Sequence, residues 1–191
     1  MKDNKFNLII GGGIIIVVAI VAALFLIPVE PNKTESAKPV AKKTDSRFPA
    51  PKLVKENLGK ATFNWEMKSV DGKPVVLSDY KGKVIFLNLW ATWCGPCLAE
   101  FPTVQSLYSE MKDDVVFLIV SQEEFETVKS FSTSQTYTFP IMVAEGEIPG
   151  VFETNIIPTT YIIDRDGNIV TKHVGASNWA DESVKTFLKS L

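Results

Sequence analysis

Val84-Ile85-Phe86-Leu87-Asn88-Leu89-Trp90-Ala91-Thr92-Trp93-Cys94-Gly95-Pro96-Cys97 is the stretch that decides how this 191-residue chain folds. Its first seven residues form a near-continuous apolar run, the pattern of a central strand covered on both faces. After Cys97, the residues Leu98, Phe101, Val104, Leu107 and Met111 recur at helical spacing, and Val115 to Val120 is a second apolar run. Strand, helix, strand makes a βαβ unit with a parallel pair. Upstream, residues 62–68 and 74–77 flank Val70-Asp71-Gly72-Lys73, and Asp-Gly predicts a hairpin. Downstream, a helix is predicted over about 123–134, with Phe125, Val128 and Phe131 on one side. A second hairpin is predicted from Thr160–Ile163 and Asn168–Val174 around Asp164-Arg165-Asp166-Gly167, and a last helix over about 179–190. The predicted order is hairpin, βαβ, α, ββ, α, an α/β domain.

The N-terminal part has a different character. Residues 8–27, LIIGGGIIIVVAIVAALFLI, carry no charge. They account for more than the whole positive mean hydropathy of +0.11; without them the chain averages roughly −0.24, an ordinary soluble value. Twenty such residues make a helix of about 30 Å, the thickness of a bilayer core. Lys2, Lys5 and the terminal amine precede the run, which predicts a cytoplasmic N-terminus over residues 1–7, a transmembrane anchor over 8–27 and an extracytoplasmic remainder. A cleaved signal peptide is the competing reading, with a poor cleavage site at Phe25 to Glu30; both readings export the domain. Residues 28–57 hold five prolines and scattered lysines, and read as a linker whose end, Phe48 to Leu58, is apolar enough to dock on the domain. The domain itself is placed at 58–191.

Charge and cysteine content exclude several classes. Residues 1–57 carry nine Lys+Arg and five Asp+Glu, net +4, whereas residues 58–191 carry eleven against seventeen, net −6. An acidic domain offers no electrostatic footprint for nucleic acid. The only cysteines, Cys94 and Cys97, are too few for a disulfide framework or a four-cysteine metal site. No glycine-rich nucleotide loop is present, so no organic cofactor is expected.

The chemistry lies in Trp93-Cys94-Gly95-Pro96-Cys97, where a strand ends and a helix begins. Free N–H groups and a partial positive charge at a helix start stabilise a thiolate at Cys94. Pro96 suits a first helical turn, where its missing N–H costs little. Three residues apart, Cys94 and Cys97 are placed to form a disulfide. Cys94 is then the attacking thiol, with an exposed sulfur, and Cys97 the buried resolving thiol. A static structural disulfide and a pair of ligands for a soft ion such as Cu(I) are the other readings. Trp93 precedes the nucleophile and reads as a shield or a substrate contact. Trp65, Trp90 and Trp179 read as packing, and His173, the only histidine, as a strand residue without a catalytic part.

Further stretches share a pattern with this motif. They are Leu77-Ser78-Asp79-Tyr80-Lys81-Gly82-Lys83-Val84, then Asn88 to Cys97, then Glu100-Phe101-Pro102, and finally Ile157-Pro158-Thr159-Thr160-Tyr161-Ile162-Ile163-Asp164 with Asp166-Gly167. In that order and spacing, residues 59–178 resemble thioredoxin-fold thiol–disulfide oxidoreductases of the TlpA/ResA type. The resemblance implies a central mixed β-sheet of four strands flanked by helices, with the 62–77 hairpin added at the N-terminal side and one transmembrane helix before it. It also implies a cis bond at Ile157–Pro158 opposite the cysteines, which presents the backbone of Ile157 to an extended substrate. Asn88 stands where cytoplasmic thioredoxins carry a buried acid, and Asn cannot titrate. Glu100, one turn after Cys97, matches a glutamate that tunes the thiols in ResA-like proteins. A raised pKa and proton exchange with Cys97 are expected there. The activity implied is reduction of disulfides in exported proteins such as apocytochrome c, with electrons from a membrane thiol carrier of the CcdA type. An oxidase or isomerase of exported proteins is the alternative direction, and a copper-binding assembly module the alternative class.

Overall fold

Strand pairing around β3 organises the domain, and the computed structural model describes it over residues 47–191. The strands are β1 (Glu66–Ser69), β2 (Pro74–Val76), β3 (Val84–Trp90), β4 (Val115–Ser121), β5 (Ile141–Ala144), β6 (Thr159–Ile163) and β7 (Ile169–Val174). The helices are α1 (Gly95–Met111), α2 (Phe125–Thr133) and α3 (Glu182–Lys189). One mixed sheet runs in the order β2-β1-β5-β4-β3-β6-β7. β3 lies parallel to β4, with Val84 opposite Val115, and antiparallel to β6, with Leu89 opposite Thr159. β1 and β2 form an antiparallel hairpin, and β1 continues antiparallel onto β5. The predicted N-terminus, transmembrane span and linker up to residue 46 lie outside the described residues. Among the described residues no helix is long and apolar enough to cross a membrane.

The four-stranded sheet and the element order expected from sequence need one correction. Residues 141–144 form a strand that the sequence pattern does not announce. Four apolar residues after Phe139-Pro140 are too few to show a period. They become a strand because both neighbours supply backbone partners, β4 in parallel and β1 antiparallel.

Every residue of β3 is buried, so both faces are covered. On one face Val84, Phe86 and Trp90 join a cluster with Val104 and Leu107 of α1, Val128 of α2, and Val184 and Leu188 of α3. On the other face Ile85, Leu87 and Leu89 pack with Trp65, Leu77 and Phe152. Leu77 and Phe152 come from two short 3-10 turns, Leu77–Tyr80 and Gly150–Phe152. The helices therefore gather on one face, and turns and extended chain close the other. Successive right-handed parallel crossovers in one direction, β3 to β4 and β4 to β5, place α1 and α2 on the same side.

The end of the predicted linker belongs to the folded unit. Glu56 N–H donates to Val170 O at 2.9 Å, Leu58 N–H to Ile169 O at 3.0 Å, and Asn178 N–H to Pro49 O at 2.9 Å. This stretch supplies backbone partners to the outer edge of β7, an edge otherwise open to pairing with other chains. At the β6–β7 turn, Gly167 takes φ +78°, and a Cβ there would stand 2.9 Å from the Phe63 ring. Both the left-handed backbone and the close ring require glycine.

Phe86 contacts Phe117 at a ring separation of 5.2 Å and Trp179 edge-on at 5.0 Å. Phe86→Ala removes a fully buried ring where sheet and helices meet. The expected loss is about 3–5 kcal/mol of folding free energy, read as a lowered midpoint in urea unfolding of the oxidised protein.

Candidate active site

Cys94 caps α1. Its backbone is extended, at φ −82° and ψ 97°, and its sulfur accepts the N–H of Cys97 at 3.2 Å. Gly95 and Pro96 form the first turn, where no intrahelical partner waits for an N–H. Cys94 and Cys97 are joined in a disulfide with Cα atoms 5.3 Å apart. The same N–H that touches Cys94 in the disulfide is placed to stabilise its thiolate after reduction, together with the helix dipole. The expected exposure of the first sulfur is corrected: Cys94 is only 4% exposed and Cys97 0%. Trp93, by contrast, is 75% exposed, so the loop turns the indole outward and the sulfur inward.

Ile157–Pro158 is a cis peptide bond. The Ile157 carbonyl oxygen lies 3.8 Å from Cys94 Sγ. In the disulfide that sulfur has no proton, so this is a contact rather than a hydrogen bond. A cavity of about 260 Å³ opens beside it, lined by Trp93, Ala91, Glu123, Thr154 and Ile157 among others. Concavities of about 430 and 380 Å³ lie elsewhere on the domain, at residues 62–66 with 145–150 and at residues 80–83 with 112–117. Those two contain none of the residues of the motif, so the smaller cavity is the one relevant to the chemistry.

Glu100 is 0% exposed. Its Oε1 accepts from Asn88 Nδ2 at 3.0 Å, and its Oε2 accepts from Ser177 N–H at 3.1 Å and Trp179 Nε1 at 2.8 Å. Burial pushes the carboxyl up to about 7, against these three donors, each of which pulls it down. Three neutral donors replace part of the lost hydration and no cation replaces the rest. Asn88 also donates to Thr160 Oγ1 at 2.9 Å, while its own Oδ1 has no partner.

The sequence reading named Cys94, Cys97, Gly95, Pro96, Trp93, Ile157 and Pro158, and the fold brings them to one end of the sheet. It missed two groups. Trp179 packs as expected, against Phe86, yet its indole N–H also serves Glu100. Glu123, in the loop after β4, accepts Thr92 N–H at 2.6 Å and Thr92 Oγ1 at 2.7 Å, and so clamps the loop before the cysteines. One glutamate among Glu123, Glu124 and Glu126 carries no signal in sequence that marks it out.

A family model described as Redoxin matches residues 43–188. The chain belongs to the redoxin family. This redoxin is 37% identical over 124 residues to the thiol-disulfide oxidoreductase ResA of Bacillus cereus, covering 63% of this chain and 72% of the relative. It is 34% identical over 140 residues to ResA of Bacillus thuringiensis, covering 72% and 80%. Among solved structures it is similar to the pneumococcal exposed lipoprotein thioredoxin Etrx1 of Streptococcus pneumoniae, at 31% identity and TM-score 0.56, over 66% of this chain and 98% of that one. The redoxin is therefore a thiol–disulfide oxidoreductase of the TlpA/ResA type with a thioredoxin-like α/β fold. Its Cys94–Cys97 pair is the disulfide present at the helix start.

The raised pKa of Glu100 carries a stability consequence. Unfolded, the group titrates near 4.5; folded, near 7. The folded state binds the proton more tightly, so this contribution is complete below pH 4.5 and is lost as pH rises through 7. Over that window the oxidised protein should lose on the order of 3 kcal/mol from this group. Urea unfolding as a function of pH is expected to show the slope in wild type and to lose it in Glu100→Gln.

Proposed function

We propose that this oxidoreductase works as a reductant of disulfides in exported proteins, with apocytochrome c as the substrate class that its ResA resemblance favours. The observation that carries the reading is the Cys97 N–H on Cys94 Sγ at the start of α1, beside the Ile157 carbonyl. In the reduced protein, Cys94 thiolate attacks one sulfur of the client disulfide, and the other client sulfur leaves as thiolate. Cys97 then attacks Cys94 Sγ, and the client departs with both thiols. The client gains two electrons and the Cys94–Cys97 disulfide re-forms. Resolution needs a Cys97 thiolate. Glu100, one helical turn on and on the same face, takes the Cys97 proton. A carboxyl near 7 is matched to that transfer at neutral pH, where a group near 4.5 would be a weak base. Trp93 and the backbone of Ile157 beside Pro158 hold an extended client across the cavity, in the manner of strand addition.

The setting of this chemistry belongs to the same proposal. Residues 8–27 anchor the protein in the cell membrane with residues 1–7 cytoplasmic. The segment from 28 carries the catalytic domain outside, where a CcdA-type membrane thiol carrier returns the electrons. The hydropathy of residues 8–27 and the positive charges before them support this topology. A relative described as an exposed lipoprotein thioredoxin supports an extracytoplasmic domain. The β1–β2 hairpin is the family's addition ahead of the core sheet.

Cys97→Ser is expected to accumulate a mixed disulfide between Cys94 and its client, seen as a slower band on non-reducing gels; exported cytochromes absent from that band would count against the client class. Alkylation trapping in intact cells is expected to find the pair mostly reduced. A mostly oxidised pair would instead point to an oxidase or isomerase. Glu100→Gln should slow the resolution step about tenfold or more in rapid-mixing kinetics; an unchanged rate removes Glu100 from the proton path.

A further inference from the structure

The carboxyl of Glu100 is held by donors from two directions, and one of them is a loop. Asn88 reaches it from β3. Ser177 and Trp179 reach it from the segment between β7 and α3. That segment is fastened at both ends. Gly175 N–H donates to Pro158 O at 2.8 Å, and Trp179 N–H donates to Thr103 Oγ1 at 3.1 Å. His173 Nε2, on β7 just before this segment, and Ser177 Oγ within it share a hydrogen bond of 2.8 Å. The His173 ring also meets the Trp179 indole edge-on, at 5.4 Å and 88°. One imidazole therefore touches both residues whose N–H groups converge on Oε2. His173 stands opposite Thr160 of β6, which in turn receives Asn88 Nδ2.

We propose that His173 is a positioning residue for the Glu100 carboxyl: it holds Ser177 and Trp179 with their N–H groups on Oε2 and keeps water from the pocket. Burial holds its ring below the usual histidine range, opposed by a backbone bond at Gly175, so the imidazole is neutral at pH 7. A neutral ring can bond a hydroxyl and pack on an indole without bringing a second charge inside. The partners facing Glu100 are Asn88 from β3 and Ser177 and Trp179 from the loop, all uncharged. The other titratable groups of this region are Cys97, one turn earlier on α1, Cys94 at its cap, and His173 on β7. Burial outweighs the three donors at Glu100, so a loosened loop, which loses the Ser177 and Trp179 donors but puts water in their place, moves the carboxyl back toward 4.5. The residue acts on the reaction only through Glu100, so its importance rests on the proton-acceptor role proposed above.

The two readings fail separately in one experiment. The Glu100 carboxyl carbon is followed by NMR through a pH titration of the oxidised full chain, and assigned by its disappearance in Glu100→Gln. Wild type is expected to show a midpoint near 7. His173→Ala and Ser177→Ala are each expected to lower it by about one pH unit or more. His173→Gln, which retains a polar partner for Ser177 Oγ, should recover part of the shift. A wild-type midpoint near 7 that neither substitution lowers overturns the role of His173 and leaves Glu100 untouched. A wild-type midpoint near 4.5 removes the ground for both. Should His173→Ala fail to fold, Ser177→Ala carries the test, since it deletes only the hydroxyl and keeps the donating N–H.

Discussion

Seven consecutive residues of β3, Val84 to Trp90, have no appreciable access to water, and the apolar contacts on both sides of that strand tie the end of the sheet to the start of α1. Everything chemical in the domain depends on that closure. A strand covered on both faces must end where its cover ends, and a short loop then carries the chain into the helix. The loop is too short to let Cys94 wander from the helix axis. The sulfur consequently meets the N–H of Cys97, and the facing strand β6 delivers Ile157 and Pro158 from the other side. The same packing explains why α1 can run from Gly95 to Met111 with Pro102 inside it: Phe101, Val104 and Leu107 are buried against the sheet around that proline.

Glu100 is the point where this packing and the chemistry oppose each other. A carboxyl inside an apolar cluster is unfavourable as an anion, and three neutral donors do not fully offset the lost hydration. The outcome is a group near the ordinary working pH rather than one locked in a single state. Here the strand supplies an amide, Asn88, and the helix supplies the acid, and the two are bonded to each other. The buried acid thus belongs to the helix that contains Cys97 and is capped by Cys94. Any shift of α1 against the sheet moves the thiols and the acid together.

Much of this was legible before the structure. The runs VIFLNLW and VVFLIV, the helical spacing from Leu98 to Met111 and the two Asp-x-Gly or Asp-Gly turns marked out the central strands, α1 and both hairpins, because each carries its own period or turn chemistry. β5 was not legible, since four residues hold no period and only their neighbours make them a strand. The cover of the second face was not legible either: Trp65, Leu77 and Phe152 come from coil and short turns that have no repeating pattern. In the site, the cysteines and Pro158 announce themselves through local motif. Glu123, Ser177 and Trp179 do not, because their partners lie 31 to 79 residues away; His173 does not, because a histidine four residues before a serine carries no signal until the loop folds.

By itself, the sequence determined which two sulfurs can pair, since it holds only Cys94 and Cys97, and where along the chain the strand gives way to the helix. These are local properties, set by residue identity and by spacings of a few positions. Only the tertiary structure decided how those atoms behave. It buried the Cys94 sulfur that the motif alone would leave open, turned Trp93 outward, laid residues 54–58 along β7, and shut Glu100 away from water. The physical reason is that exposure and pKa are properties of surroundings. They depend on which distant segments exclude water from a group, and that is settled when the sheet, the helix and the loop after β7 pack together.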